Sequence, residues 1–570
     1  MASWRLRLLL GFFYLFALTI FLRLFYWQIL CRDSLLVEAE SLHTMTNQIE
    51  APRGKIFDTD DFPLATSQEV YLVYASFSDL KNTAGEIAEK LSAVLVPKVK
   101  NQEKKELEEQ LKDKLSRENL SWIALTRKID EETREKIESL KIEGIGFEPM
   151  EKRVYLEGSM SAQLLGFVGQ DSSGKDKGYF GLEGYYDREL TGRPGTLKLE
   201  KDVQGRPILI GERIENPPIP GRDLVLYLDR GIQFMVENKL KKGIERYGAK
   251  AGSVVILDPQ TGGILSMASF PNFDPKDYSQ TDPKLFPNPV ISESFEPGSV
   301  FKIIVMSAAL NEGVVSPEDR CQECDGPRKI DKYVIKTWND KYFPDSTMTE
   351  IIQHSDNVGM VYVSEKLGID RLHDYLVSFG FGSETGIDLE GEAVPPLRKK
   401  NEWNVVDLAT AGFGQGIAVT PIQMLTGTAV IANGGQLLAP QVIKRIKTEE
   451  REIEIKPKIV RKVINPATAK IMTEMMVNAV EKGEAKWAKP KGYRIAGKTG
   501  TAQIPIAGHY DEEKTIASFV GFAPADKPKF VMLVTLREPS SSPWGAETAA
   551  PLWFDIAQEL FAYWGIPPQE

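Results

Sequence analysis

The chain has 570 residues, 42% hydrophobic and 26% charged, an ordinary globular composition that excludes wholesale disorder and fibrous repeats. Lys and Arg number 70 against 80 Asp and Glu, a net charge of −10, so the chain lacks the basic footprint of a nucleic-acid binder. Three cysteines cannot staple a chain this long, so it must fold on its own core, and four histidines leave little room for a multi-histidine metal centre; no metal is expected, and no cofactor.

The first elements set the compartment. Arg5 and Arg7 precede an uncharged stretch, residues 8–22, which as a helix covers about 22 Å, short of the roughly 30 Å hydrocarbon core. Continuing past Arg23 to Leu30 supplies the missing length, and Tyr26 and Trp27 suit an aromatic belt. No small-x-small cleavage site follows, and Gln28-Ile29-Leu30 lacks the small residues expected before a lipid-modified Cys31. Residues 8–30 therefore read as one uncleaved transmembrane helix. The basic residues keep the 1–7 tail in the cytoplasm, and the remaining chain is expected on the extracytoplasmic side.

Residues 31–80 are mixed. Ala51-Pro52-Arg53-Gly54-Lys55-Ile56-Phe57-Asp58 reads as a turn and a short strand, and Val70-Tyr71-Leu72-Val73-Tyr74 as another strand. Residues 84–140 read as helical and highly charged. Within them, residues 98–118 hold 13 charges in 21 positions, with Leu107, Leu111 and Leu115 at i, i+4 and i+8. That pattern predicts a solvated helix docked by one narrow face, too short for a coiled coil. Residues 141–220, rich in Gly, Tyr and Pro, read as irregular strands and loops.

A boundary falls at Pro217-Pro218-Ile219-Pro220-Gly221, dividing residues 31–220 from 221–570. Beyond it Leu224-Val225-Leu226-Tyr227-Leu228 and Val254-Val255-Ile256-Leu257 read as buried strands. Long helical stretches with glycine stops follow, such as the one ending before Gly313. Near the end Ala517-Ser518-Phe519-Val520-Gly521-Phe522 and Phe530-Val531-Met532-Leu533-Val534-Thr535 are strand-like, and a helix runs near 551–563. Strands at both ends with helices between predict one sheet closed by both termini. The chain stops soon after that helix, so no further C-terminal module is expected.

Three segments carry candidate chemistry. In Glu296-Pro297-Gly298-Ser299-Val300-Phe301-Lys302, a helix started by Pro-Gly puts Lys302 one turn beyond Ser299 on the same face. A serine hydroxyl is a weak nucleophile until a base takes its proton, and an amine of lowered pKa can do so. The same pattern at Ser78/Lys81 and Ser172/Lys175 lies in polar surroundings and carries no expectation. Ser355-Asp356-Asn357 alone reads equally well as a turn or helix cap. Lys498-Thr499-Gly500-Thr501 reads as a strand whose small residues let backbone N–H groups approach a ligand. Gly492 to Thr499 also spells a phosphate loop, but Gly500, Thr501 and Pro505 are poor material for the helix that loop requires. Cys321 and Cys324 leave a disulfide or two thiols open, with zinc disfavoured for want of two more ligands. Two thiols are preferred, because so short a loop is geometrically demanding.

The order Ser299, Ser355, Lys498, with gaps of 56 and 143 residues, carries the signature S-x-x-K, S-D-N, K-T-G of penicillin-binding proteins and class A β-lactamases. The chain resembles a class B penicillin-binding protein, a monofunctional peptidoglycan D,D-transpeptidase. Arg53-Gly54-Lys55-Ile56-Phe57-Asp58, the Gly181-Leu182-Glu183 block with Asp187, Leu190 and Gly192, the segment from Gly252 to Gly262, Phe413-Gly414-Gln415-Gly416-Ile417 and Thr420-Pro421-Ile422-Gln423 carry the likeness. Asp60-Asp61 departs from the usual turn.

The resemblance implies an α+β fold: a transpeptidase domain with a five-stranded antiparallel sheet between helical clusters, on a mixed α/β pedestal behind one N-terminal transmembrane helix. It implies Ser299 as nucleophile, Lys302 as general base, Ser355 as proton relay and Asn357 as the holder of the peptide amide and of Lys302. Lys498 would organise the proton network, while Thr499, Gly500 and Thr501 bind substrate, the two threonines at its carboxylate. The N–H groups of Ser299 and Thr501 would form the oxyanion hole, and Asp356 would be structural. The implied partners are peptidoglycan stem peptides ending in D-Ala-D-Ala, β-lactams, and a polytopic glycosyltransferase with other cell-wall assembly proteins of the inner membrane. The motif contexts favour the septal over the elongation type. A D,D-carboxypeptidase would use the same residues, and a divisome scaffold would keep only the fold. A β-lactamase needs a glutamate-activated water, and no residue between Ser355 and Lys498 stands out for that task.

Overall fold

The computed structural model describes residues 3–36, 44–96, 101–117, 120–201, 213–506 and 509–568. Contacts divide the chain into two units, Met1–Arg53 with Thr191–Gly221, and Gly54–Leu190 with Arg222–Glu570. In the first, the helix Ser3–Phe25 continues through a π-helical turn, Tyr26–Leu30. These 28 residues are apolar enough to cross a membrane and bury none of their side chains in protein. At 1.5 Å per residue they reach about 42 Å, more than a bilayer core requires. The same unit holds an antiparallel sheet in which Gly195–Glu200 pairs with Thr44–Ile49 on one side and Arg213–Asn216 on the other.

The second unit begins with a seven-stranded sheet. Its longest strand, Pro63–Ser76, pairs antiparallel with both Trp122–Ile129 and Ile145–Tyr155. The strand Trp122–Ile129 corrects the expectation of continuous helix over 84–140: it separates the helices Asn101–Leu115 and Glu131–Ser139. Leu125 and Ile129 point inward, a spacing of four that a helix face shares with a strand, and pairing with Pro63–Ser76 decides for the strand. The charged helix docks as predicted, with Leu111 and Leu115 buried and Leu107 packed beside them. The region after residue 141, read as strands and loops, also contains short helices at Ala162–Leu165, Gly181–Tyr185 and Asp187–Thr191.

The sheet that carries the site is five-stranded and antiparallel. Its order is Ile264–Phe270, Ala251–Leu257, Phe530–Arg537, His509–Ala523, Ala496–Ile506. The first strands in sequence thus lie beside the last, the closure by both ends that the sequence predicts. Alternation along the strands feeds two cores. Val254, Ile256, Met532 and Val534 face the helices Arg230–Tyr247 and Ala549–Tyr563, whereas Val255, Leu257, Val531 and Leu533 face the central helices. Two of those central helices, Lys302–Asn311 and Pro421–Ala432, are apolar nearly all round, as a helix enclosed by protein must be.

Cys321 and Cys324 are joined as a disulfide, which overturns the preference for two thiols. The turn between them brings their Cα atoms to 5.7 Å, within bridging range, and both side chains are buried in the helical core.

Candidate active site

Ser299 lies in a single 3₁₀ turn, Gly298–Phe301, that runs into the buried helix Lys302–Asn311. Gly298 has φ +56° and sits so close to the strand Ala496–Ile506 that a Cβ would come 3.0 Å from the Thr501 carbonyl oxygen. Its N–H donates to Gly414 O (3.0 Å), and a Cβ on Gly414 would lie 2.2 Å from Gly298 O. The Phe413-Gly414-Gln415-Gly416 block therefore supports the turn that presents Ser299. Gly500 serves the same approach from the strand, since a Cβ there would meet Val300 at 2.8 Å.

Lys302 is fully buried. Its Nζ donates to the Ser355 carbonyl (2.6 Å) and Asn357 Oδ1 (2.8 Å), and lies 3.3 Å from Ser355 Oγ. Asn357 is held in turn by its Nδ2, which donates to Lys336 O (3.0 Å). Asp356 caps the helix Asn357–Leu367, its Oδ1 accepting from the Val358 and Gly359 N–H groups. Between the two helices Ser355 adopts φ +55°, an unfavourable backbone for a side chain with a Cβ, held here by the groups around it.

Lys498 enters from the strand Ala496–Ile506, opposite Val520. Its Nζ donates to Ser355 Oγ (2.9 Å), Thr499 O (3.1 Å) and Thr499 Oγ1 (3.2 Å). No helix follows it, so the phosphate-loop pattern is accidental. Thr501 Oγ1 accepts from the Gly545 N–H (2.9 Å).

Ser355 Oγ thus stands between two buried lysine Nζ atoms, and neither lysine forms an ion pair among the described residues. Burial pushes Lys302 well below the ordinary lysine range. The nearby Lys498 charge adds to this, while Asp356 and Glu484 oppose it. Burial lowers Lys498 to about 8, against the pull of Glu484.

These groups line a cleft of about 390 Å³ that holds Ser299, Ser355, Asn357, Thr499, Gly500 and Thr501. All eight residues singled out from the motifs converge here. Sequence reading missed the rest of the lining: Trp338, Trp487, Trp544, Glu484 and Glu547. Trp338 and Trp544 lie ring to ring at 4.9 Å. Glu484 falls between Ser355 and Lys498, the interval in which no carboxylate had stood out. The decoys behave as expected: Lys81 pairs with Glu143 at the surface, and Ser172 and Lys175 lie in an exposed turn.

Comparison with known proteins agrees with this geometry. The penicillin binding protein transpeptidase domain matches residues 252–560, and the penicillin-binding protein dimerisation domain matches residues 48–226. The chain belongs to the penicillin-binding protein transpeptidases, as a class B member. Stage V sporulation protein D of Bacillus subtilis is 33% identical, over 99% of this chain and 87% of that protein. Peptidoglycan D,D-transpeptidase FtsI of Escherichia coli is 30% identical, over 99% and 93%. Among solved structures, a peptidoglycan synthetase from Bifidobacterium adolescentis superposes with TM-score 0.74 at 26% identity, covering 93% of this chain and 98% of that one. Penicillin-binding protein 3 of Mycobacterium tuberculosis, complexed with aztreonam, gives 0.70 at 26%, covering 92% and 98%.

Proposed function

We propose that this protein is a peptidoglycan D,D-transpeptidase that cross-links stem peptides through an acyl-enzyme on Ser299, in septal wall synthesis. The observation that carries the reading is the convergence of three distant motifs on one cleft, with Lys302, Ser355, Asn357 and Lys498 in one hydrogen-bonded network.

Burial without a carboxylate partner favours neutral Lys302, the form able to accept a proton. Ser299 Oγ attacks the carbonyl of the penultimate D-Ala, and its proton passes to Lys302. The N–H groups of Ser299 and Thr501 stabilise the oxyanion; one such donor is typically worth about 2.7–4 kcal/mol. As the tetrahedral intermediate collapses, Ser355 passes a proton to the departing D-Ala amine, drawing on Lys302 and Lys498. Thr499 and Thr501, beside the Lys498 charge, hold the terminal carboxylate, and Asn357 binds the peptide amide. The amine of a second stem peptide then attacks the ester, a new amide forms, and the proton returns to Ser299.

A β-lactam presents a strained amide to the same serine and forms an ester that keeps its ring fragment attached, which impedes amine attack. Residues 8–30 anchor the enzyme in the cytoplasmic membrane with residues 1–7 inside. Residues 31–220 form a pedestal that carries the transpeptidase domain, 221–570, on the outer side and meets a polytopic glycosyltransferase.

Mass spectrometry of the penicillin-treated protein tests the reading. The adduct is expected on the peptide containing Ser299 and is expected to persist. An adduct on another residue, or rapid loss with sustained nitrocefin hydrolysis, would sink it.

A further inference from the structure

An alkyl amine is protonated near neutrality, so the acceptor reaches the acyl-enzyme as an ammonium. It must enter a cleft beneath which Lys498 lies buried and still charged at neutral pH, and like charges repel more strongly there than in bulk water. The cleft contains its own remedy. Two carboxylates line it, Glu484 and Glu547. Glu547 accepts from Ser542 Oγ (2.6 Å), whereas Glu484 makes no hydrogen bond or ion pair among the described residues.

The position of Glu484 is built into the fold. The helix Pro466–Lys482 ends at Gly483, where a Cβ would lie 2.2 Å from Ala479 O and 3.0 Å from Gln353 O. Asn478 Nδ2 donates to Gln353 Oε1 (2.8 Å), tying this helix to the one that ends beside Ser355. Glu484 is half-buried, and its charge acts on both lysines. Trp487, 62% exposed, lines the cleft with it, and no cation among the described residues covers that ring. An aromatic face beside a carboxylate suits an ammonium group.

We propose that Glu484 docks the ammonium of the amine acceptor and thereby favours transfer to amine over loss to water. This rests on the transpeptidase reading above. Glu484 is a specificity determinant of the second half-reaction and exchanges no proton with Ser299: the docked ammonium gives one proton to neutral Lys302, its amine then attacks the ester, and the proton lost as the amide forms passes to the departing Ser299 Oγ.

The test is the partition of the acyl-enzyme between amine and water. The full chain in detergent is given an N-acyl-D-alanyl thioester as donor and D-alaninamide as acceptor, and the ratio of transfer to hydrolysis is measured. That ratio reads only molecules that have acylated, so it is independent of folded yield. Glu484→Gln is expected to lower it about tenfold, and Glu484→Lys further, while Glu484→Asp retains most of it. Added salt should lower the ratio in the unsubstituted enzyme and barely change it in Glu484→Gln. An unchanged ratio in Glu484→Gln would overturn the proposal. A raised ratio would also overturn it, marking Glu484 as a base for water. Absence of an acyl-enzyme on Ser299 before any substitution would overturn the transpeptidase reading and this proposal together.

Discussion

Two places in the larger unit bury positive charge, and they do so in opposite ways. In the dimerisation region Arg153 and Glu183 form an ion pair with side chains only 3% and 0% exposed. Arg153 Nε donates to Glu183 Oε1 (2.6 Å), and Nη1 donates to Gly54 O (2.8 Å). In the cleft Lys302 and Lys498 are just as deeply buried, but their partners are neutral oxygens. The first arrangement compensates the charge and fixes structure. The second leaves it uncompensated, so the proton is held weakly and can move. The motif residues follow this line: Gly54 and Glu183 serve the closed pair, and the Ser-Asp-Asn and Lys-Thr-Gly motifs serve the open one.

The largest expected effect removes the atom that the open network activates. Ser299→Ala should lower acylation by penicillin at least about 10⁴-fold, read by intact-protein mass spectrometry. Labelling at the original rate would end the comparison on its catalytic side.

Removing the proposed base comes next. Lys302→Met should slow acylation by about 10²–10⁴-fold with the fold intact by circular dichroism. In the unsubstituted enzyme the rate should fall above pH about 8 as Lys498 loses its proton, and Lys498→Met should lack that limb. A limb that survives in Lys498→Met would assign it to another group.

The closed pair should respond in stability. Glu183→Gln strands Arg153 in the interior and should cost about 3–5 kcal/mol in denaturant unfolding. The folded fraction should still acylate at close to the original rate. A loss under 1 kcal/mol would show that the pair is not structural.

The disulfide should be worth less. Cys321 and Cys324 close a loop with a sequence separation of 3, so Cys321→Ala with Cys324→Ala should lower stability by about 2 kcal/mol. A thiol assay on the unreduced protein should detect neither cysteine.

The smallest effect has the opposite sign. Lys498→Met should leave stability unchanged or raise it by about 1 kcal/mol while acylation falls, because an apolar chain replaces an uncompensated buried charge. The pH dependence follows from linkage. The lowered pKa means that the unfolded chain binds the extra proton between about 8 and the ordinary lysine value. Stability should therefore rise with pH across that window in the unsubstituted protein, and less steeply in Lys498→Met, where Lys302 alone contributes.

The lining of the candidate site was legible because the proposed chemistry dictates its residue types: a serine and an amine one turn apart, and a lysine on a strand of small residues. The two-core sheet was legible from apolar runs such as Phe530 to Thr535. Three features were not. The strand Trp122–Ile129 lies between two charged helices, and its inward Leu125 and Ile129 stand at a spacing that a helix face would also give. The disulfide depends on a turn geometry that the spacing of Cys321 and Cys324 does not specify. Glu484 has no motif around it, because its place is set by where the helix Pro466–Lys482 stops and by how Gly483 packs against Gln353. A residue positioned by tertiary packing leaves no local pattern to read.

The sheet that carries the site has a consequence for biosynthesis. Ser253 and Thr535 exchange a side-chain hydrogen bond (2.7 Å) across adjacent strands while lying 282 residues apart in the chain. At about 5–20 residues per second, roughly 15–60 s separate the emergence of the first central strand from that of its partner. For most of that interval, from the synthesis of Ser299 to that of Lys498, the segment bearing Ser299 exists without Lys498, and the earliest strand presents an unpaired edge. The enzyme therefore becomes chemically competent only when its own synthesis is almost complete. A chain cut short before residue 530 would carry Ser299, the proposed nucleophile, and lack the complete sheet beside it.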